Sequence, residues 1–214
     1  MLTFCALKWL HTFLLMNNPL KNELCWNIME SAKRSKCKPI TKKKPLSVDM
    51  IKEIIDRYAG PDCNLKELRI AAICSLGFAG FLRFDEVSNM SVKHLEFHEN
   101  YMSIFLPPSK TDVYREGNIV YINPINNKYC PVDLTMRFVS IAGTDLKSDL
   151  PLFHRVIFHK EANSYSLGKS GLSYTRCLEM LKNCLEELSY NTKEFGLPYL
   201  FELAPSALIK FFAF

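Results

Sequence analysis

The chain has 214 residues, 48% of them hydrophobic and 23% charged, a balance that excludes a disordered or fibrous protein and fits a globular one. That length holds one sizeable domain with a real apolar core, plus a smaller piece. The net charge of +5 has one local origin: Lys33, Arg34, Lys36, Lys38, Lys42, Lys43 and Lys44 form a run without a carboxylate. Removing these seven from the 27 basic residues leaves 20 against 22 acidic ones. Such a run attracts polyanions by neutralising phosphates and releasing counterions. Taken alone, such a run is more commonly a solvated linker or a nuclear-import signal.

The opening MLTFCALKWLHTFLLM lacks the basic start and small-residue cleavage site of a secretory leader, and it is too short to span a bilayer. No membrane association is expected. Residues 3–16 and 20–34 read as two helices separated by Asn17-Asn18-Pro19. The basic run then carries Pro39 and Pro45 without apolar periodicity, as a linker would. The expected organisation is a partial N-terminal helical piece at 1–36, a linker at 37–46, a main domain at 47–197 and a distinct tail at 198–214.

Beyond the linker, Ser47 offers an N-cap, and Ile51, Ile54, Ile55 and Tyr58 repeat at helical spacing until Gly60-Pro61 stops the helix. Asn64 caps a second helix that is almost wholly apolar from Ile70 to Leu82, the pattern of an element buried in the middle of a domain. Three short β-rich runs follow, at 94–97, 101–106 and 118–122, and predict a small antiparallel meander. Helical patterns return at 131–141 and 173–188, the latter with Leu178, Leu181, Leu185 and Leu188 on one face and Ser173 as cap. The fold class expected is α+β, mainly helical, with a small three-stranded antiparallel sheet.

The eight cysteines are spread without a C-x-x-C pair, which speaks for reduced, buried thiols in an intracellular compartment rather than zinc or disulfides. His94 and His98 are four apart but in a strand-like region, and His154 and His159 have no nearby cysteine. No metal and no cofactor is expected.

Two clusters could carry chemistry. Arg83 stands at the end of the greasy helix, where a charge is costly without a partner, and Glu86 is spaced to hydrogen-bond its guanidinium. One reading is a buried Arg–Glu pair joining two helices. The other is a guanidinium oriented to grip a phosphate with both arms of its fork. The second cluster, Lys110 and Arg115 on the loop 107–117 between two strands, could point at one anion or be a solvated hairpin tip.

Taken together, Gly80-Phe81-Leu82-Arg83-Phe84-Asp85-Glu86-Val87, Met90-Ser91-Val92, the strand pair, and Ser109-Lys110-Thr111-Asp112 with Arg115 resemble the catalytic domain of tyrosine recombinases, the phage-integrase-like family. The wording is closest to the eukaryotic transposon-derived, crypton-like branch, as are Leu172-Ser173-Tyr174-Thr175-Arg176 and Lys193-Glu194-Phe195-Gly196-Leu197. The resemblance covers about residues 6–197. It implies a catalytic core preceded by a partial core-binding domain, clamped around double-stranded DNA in a nuclear setting, with copies assembling on that DNA. Arg83 would match the family's first catalytic arginine and stabilise charge on the scissile phosphate. Lys110 would protonate the departing 5′-hydroxyl as general acid, Glu86 would support Arg83, and the basic run with Arg115 would hold the backbone.

In the family a tyrosine attacks phosphorus to give a 3′-phosphotyrosyl link, without ATP or metal. The expected His-x-x-Arg block and that tyrosine do not follow Gly196-Leu197: residues 198–214 contain no His and no Arg, and Tyr199 comes too early. The implied function is DNA binding within recombination and integration, without catalysis in this chain, the tail reading as a C-terminal truncation. The alternative is a non-catalytic nuclear interaction module of transposon origin, whose lysine run serves import only.

Overall fold

The computed structural model describes residues 2–36, 43–108, 114 and 116–195. They divide into two units, Met1–Lys42 and Lys43–Phe214. Lys38, Lys42, Lys110, Arg115 and the tail at 198–214 lie outside the described residues.

The first unit is a helix pair, α1 (Leu2–Phe13) and α2 (Glu23–Lys36), joined through a 3-10 turn at Pro19–Lys21. Asn18 builds the turn: its side-chain oxygen accepts from the Leu20 N–H at 3.0 Å and its amide donates to the Lys8 carbonyl at 3.2 Å. Phe4 and Trp26 bring the helices together, with ring centroids 6.5 Å apart. Lys33, Arg34 and Lys36 occupy the last turn of α2, where the partial negative charge of the carbonyl end favours cations.

The second unit is built around one apolar helix. α3 (Val48–Tyr58) starts at Ser47, whose hydroxyl accepts from the Met50 N–H. α4 (Leu65–Gly80) starts at Asn64 in a reciprocal cap with Glu67, a device worth about 1 kcal/mol. From Leu68 to Gly80 every residue of α4 is buried, as its largely apolar composition predicts. The helix ends on Phe81 in the left-handed conformation at φ 51°, and the short α5 (Phe84–Asn89) follows.

The sheet is the expected meander: β1 (Leu95–Phe97), β2 (Met102–Leu106) and β3 (Asn118–Ile122), antiparallel in sequential order. Leu106 pairs with Asn118 at the mouth of the intervening loop. Gly117 sits there at φ 74°, where a Cβ would come within 2.6 Å of the Leu106 carbonyl oxygen, so only glycine fits. α6 (Pro131–Ala142) packs on α4. From α6, Arg137 donates to the carbonyls of Ala59 and Gly60 at 2.8 and 2.5 Å, closing the end of α3. Phe138 of α6 meets Phe153 at 5.3 Å between centroids, both fully buried.

One element was not anticipated: a hairpin of β4 (His154–His159) and β5 (Ser164–Gly171). Arg155, Ile157, Phe158 and His159 of β4 are exposed, and β5 is spelled SYSLGKSG, with few of the β-formers that mark a strand. It is held by cross-strand ladder bonds and at its root by the buried His154, whose Nδ1 lies 2.5 Å from the Gly168 carbonyl oxygen. α7 (Tyr174–Glu187) closes the core with Cys177, Met180, Leu181, Cys184 and Leu185.

Two boundary expectations change. The last residues assigned to the linker belong to the second unit: Leu46 is fully buried, and Lys44 forms a parallel bridge to Phe195 and an ion pair with Glu194 at 2.5 Å. His94 begins no strand. It lies in a 3-10 turn with its Nδ1 accepting from the Ser91 N–H at 3.2 Å.

Among the described residues the cysteines are free thiols, no group of ligands could hold a metal, and no helix is long and apolar enough to cross a membrane. Burial raises the thiol of Cys74 and pushes those of Cys177 and Cys184 up to about 12. Thiol labelling at pH 8 under native conditions should therefore modify exposed Cys5 at once and leave these three unmodified until denaturant is added. Rapid labelling of all of them would contradict the packing of α7 on α4.

Candidate functional site

The path of the chain past α4 decides where Arg83 goes. Because the helix stops at Gly80 and Phe81 turns left-handed, Leu82 is directed into the core, 1% exposed, and Arg83 emerges on the surface as the N-cap of α5. The buried Arg–Glu pair considered for this motif is not formed. The Glu86 carboxylate accepts from the backbone N–H of Arg83 at 2.6 Å and not from its guanidinium. A carboxylate in the first turn both satisfies an orphan N–H and suits the positive end of the helix. Glu86 thus fixes the backbone from which the Arg83 side chain projects. That guanidinium is exposed and makes no ion pair among the described residues.

The surroundings of Arg83 come from the start of α7. Phe84, the next residue, packs edge-on against Tyr174 with centroids 5.3 Å apart. A Cβ on Gly171 would lie 3.9 Å from the Ser88 carbonyl oxygen. The first turn of α7 is capped by Ser173, whose hydroxyl accepts from the Arg176 N–H, and holds no carboxylate, so its positive end is not offset. An exposed arginine and a helix N-terminus are thereby neighbours, a combination suited to anionic oxygens.

The other expected site residues distribute as follows. Strands β2 and β3, which flank Lys110 and Arg115, are in place, while both side chains lie outside the described residues. Within the first unit, Lys33 pairs with Glu30 one turn back. Arg34 and Lys36 are exposed at the end of α2, Lys33 less so. In the second unit Lys43 donates to the Lys193 carbonyl and Lys44 pairs with Glu194. The Lys44 ammonium holds the Glu194 carboxyl below the usual carboxylate range. Two of the seven basic residues therefore have acidic partners, and the run is less uniformly cationic than its sequence suggests.

The sequence reading missed a second arginine. Arg69 of α4 is 3% exposed and forms no ion pair among the described residues. Its guanidinium donates to the His154 carbonyl at 2.6 Å and approaches the Met180 sulfur at 3.1 Å, while Nε has no hydrogen-bond partner among the described residues. Burial holds it down at about 10, with Cys177 offsetting and Arg176 adding to the effect, so it remains a cation at neutral pH. Desolvating such an ion costs several kcal/mol. One signal was available: Arg69 falls on the buried face of a helix otherwise apolar from Leu68 onward.

No protein-family model matches this chain, and no curated protein matches it. Solved structures do. The XerH site-specific recombinase bound to difH substrate, in a pre-cleavage complex, superposes with a TM-score of 0.54 at 13% identity over 81% of this chain and 44% of that one. The same recombinase bound to palindromic difH, in a post-cleavage complex, gives 0.55 at 12% identity over 78% and 42%. The chain thus spans less than half the length of the solved chains it matches. At this identity the likeness is one of fold, and it agrees with the mixed architecture and small antiparallel sheet expected from the sequence.

Removing the Glu86 side chain should free the Arg83 amide without touching its guanidinium. In Glu86→Ala, hydrogen exchange at the Arg83 N–H is expected to quicken by roughly tenfold or more, the value of a bond to a charged acceptor. Unchanged exchange at that amide would mean the cap does not hold in solution.

Proposed function

We propose that this chain is a double-stranded-DNA-binding protein on the tyrosine recombinase fold, of the eukaryotic transposon-derived kind, working with DNA in the nucleus. The observation that carries the reading is Arg83: exposed, without an ion pair among the described residues, its backbone pinned by Glu86 and its neighbourhood shared with the N-terminus of α7, on a fold shared with a recombinase solved on its DNA substrate. Arg83 grips a backbone phosphate through its planar fork. Lys110, carried between β2 and β3, and Arg115 add a second cationic arm. The exposed members of the basic run track the flanking backbone.

Phosphate grip is half of strand exchange. The other half needs a second arginine, a histidine and a tyrosine nucleophile, and residues 198–214 supply neither His nor Arg. The role proposed for these residues is therefore the phosphate-gripping half, duplex binding through Arg83 and Lys110.

Fluorescence anisotropy with a labelled duplex tests this. Affinity should fall roughly tenfold between 50 and 200 mM salt for every two phosphates neutralised. Arg83→Gln should weaken binding and lower the salt slope by about one. Binding that ignores salt, or is the same in Arg83→Gln, contradicts the site.

A further inference from the structure

A cleft of about 800 Å³ opens between the start of α4, the root of the β4–β5 hairpin and the first turn of α7. Lys66, Arg69, Arg155 and Arg176 line it, and no carboxylate-bearing residue does. We propose that this cleft is a phosphate-binding site, with the buried guanidinium of Arg69 as its fixed donor and Lys66, Arg155 and Arg176 as its rim.

Three observations converge on an anion. Arg69 is 97% buried with Nε unpartnered among the described residues and no countercharge in contact, and a buried cation without a countercharge is stable only if something supplies one. The second is the rim, whose three cations are exposed. Among the described residues only Arg176 of the three is ion-paired, to Glu179 at 3.1 Å one turn along α7, with both side chains more than half exposed, a pairing that an incoming anion can displace cheaply. The third is Ser173 at the start of α7, which lines the cleft and brings a helix N-terminus free of acidic residues to it. Phosphate fits better than carboxylate because three or more donors approaching from different elements match a tetrahedral group of oxygens rather than a planar pair.

The site is separate from Arg83 but adjacent to its surroundings: Tyr174, following Ser173, is the ring that packs on Phe84. If the phosphate belongs to duplex DNA, the cleft extends the contact proposed above and rests on that reading. If it belongs to a free phosphorylated molecule, it does not.

The test is nuclear magnetic resonance of arginine Nε–H groups in the full chain, titrated with sodium phosphate and then with a duplex. Phosphate should shift the Arg69 Nε–H signal saturably. The exposed pair Arg155→Gln/Arg176→Gln, which leaves the core intact, should weaken that response at least about tenfold. A silent Arg69 signal, or a response indifferent to the double substitution, overturns the site. Competition of the duplex for the same signal identifies the DNA backbone as the source. A duplex that binds without moving Arg69, while phosphate does, leaves the site standing and assigns it to a free phosphorylated ligand. Duplex binding lost in Arg83→Gln with Arg69 silent throughout sinks the cleft alone. A phosphate response with no duplex binding at any salt sinks the DNA reading alone.

Discussion

The second unit depends on burying α4 over most of its length. α3, α6 and β3 all pack on this helix, as does the hairpin strand β5, and its own side chains from Leu68 to Gly80 leave almost nothing to solvent. A helix apolar on every face cannot sit at a surface, so the rest of the unit must wrap it. Two consequences follow at its ends. At the C-terminal end the left-handed Phe81 turns the chain so that Leu82 goes inward and Arg83 outward. Near the N-terminal end, the same burial traps Arg69 among a carbonyl and a thioether. The two arginines are thus positioned by one constraint in opposite senses.

That constraint also separates what could be read from the sequence from what could not. Helix caps were legible because they are local: Ser47, Asn64 and Ser173 each precede an apolar period and each accepts a first-turn N–H. The meander was legible because Met102–Leu106 and Asn118–Ile122 are dense in β-formers. The β4–β5 hairpin was not, since β5 has Ser, Gly and Lys where a strand signal needs branched or aromatic residues. At Arg83 the sequence indicated that Glu86 would bond to this residue but not through which group. Spacing alone cannot distinguish Glu86 reaching the guanidinium from Glu86 reaching the N–H, and the outcome is set by where α5 begins. Arg69 was overlooked because its meaning lies in residues 85 and 111 positions away, His154 and Met180.

Charge tells a similar story. The run from Lys33 to Lys44 dominates the sequence, yet Lys33 and Lys44 are satisfied by Glu30 and Glu194, and exposed pairs of that kind contribute little to stability. Among the described residues, Arg83 beside the start of α7, and Arg69, Lys66 and Arg155 around the cleft, are single cations delivered by the fold without a carboxylate partner. Under the phosphate-binding reading proposed above, location of charge in a preorganised setting matters more than its density along the chain.

The central claim is that the Arg83 guanidinium meets one backbone phosphate of a duplex. The most direct measurement pairs Arg83→Gln with duplexes carrying a single neutral methylphosphonate at each successive position. One neutralised linkage should remove the whole penalty of the substitution, because protein and DNA changes then delete the same contact. A penalty that stays the same at every position would contradict it.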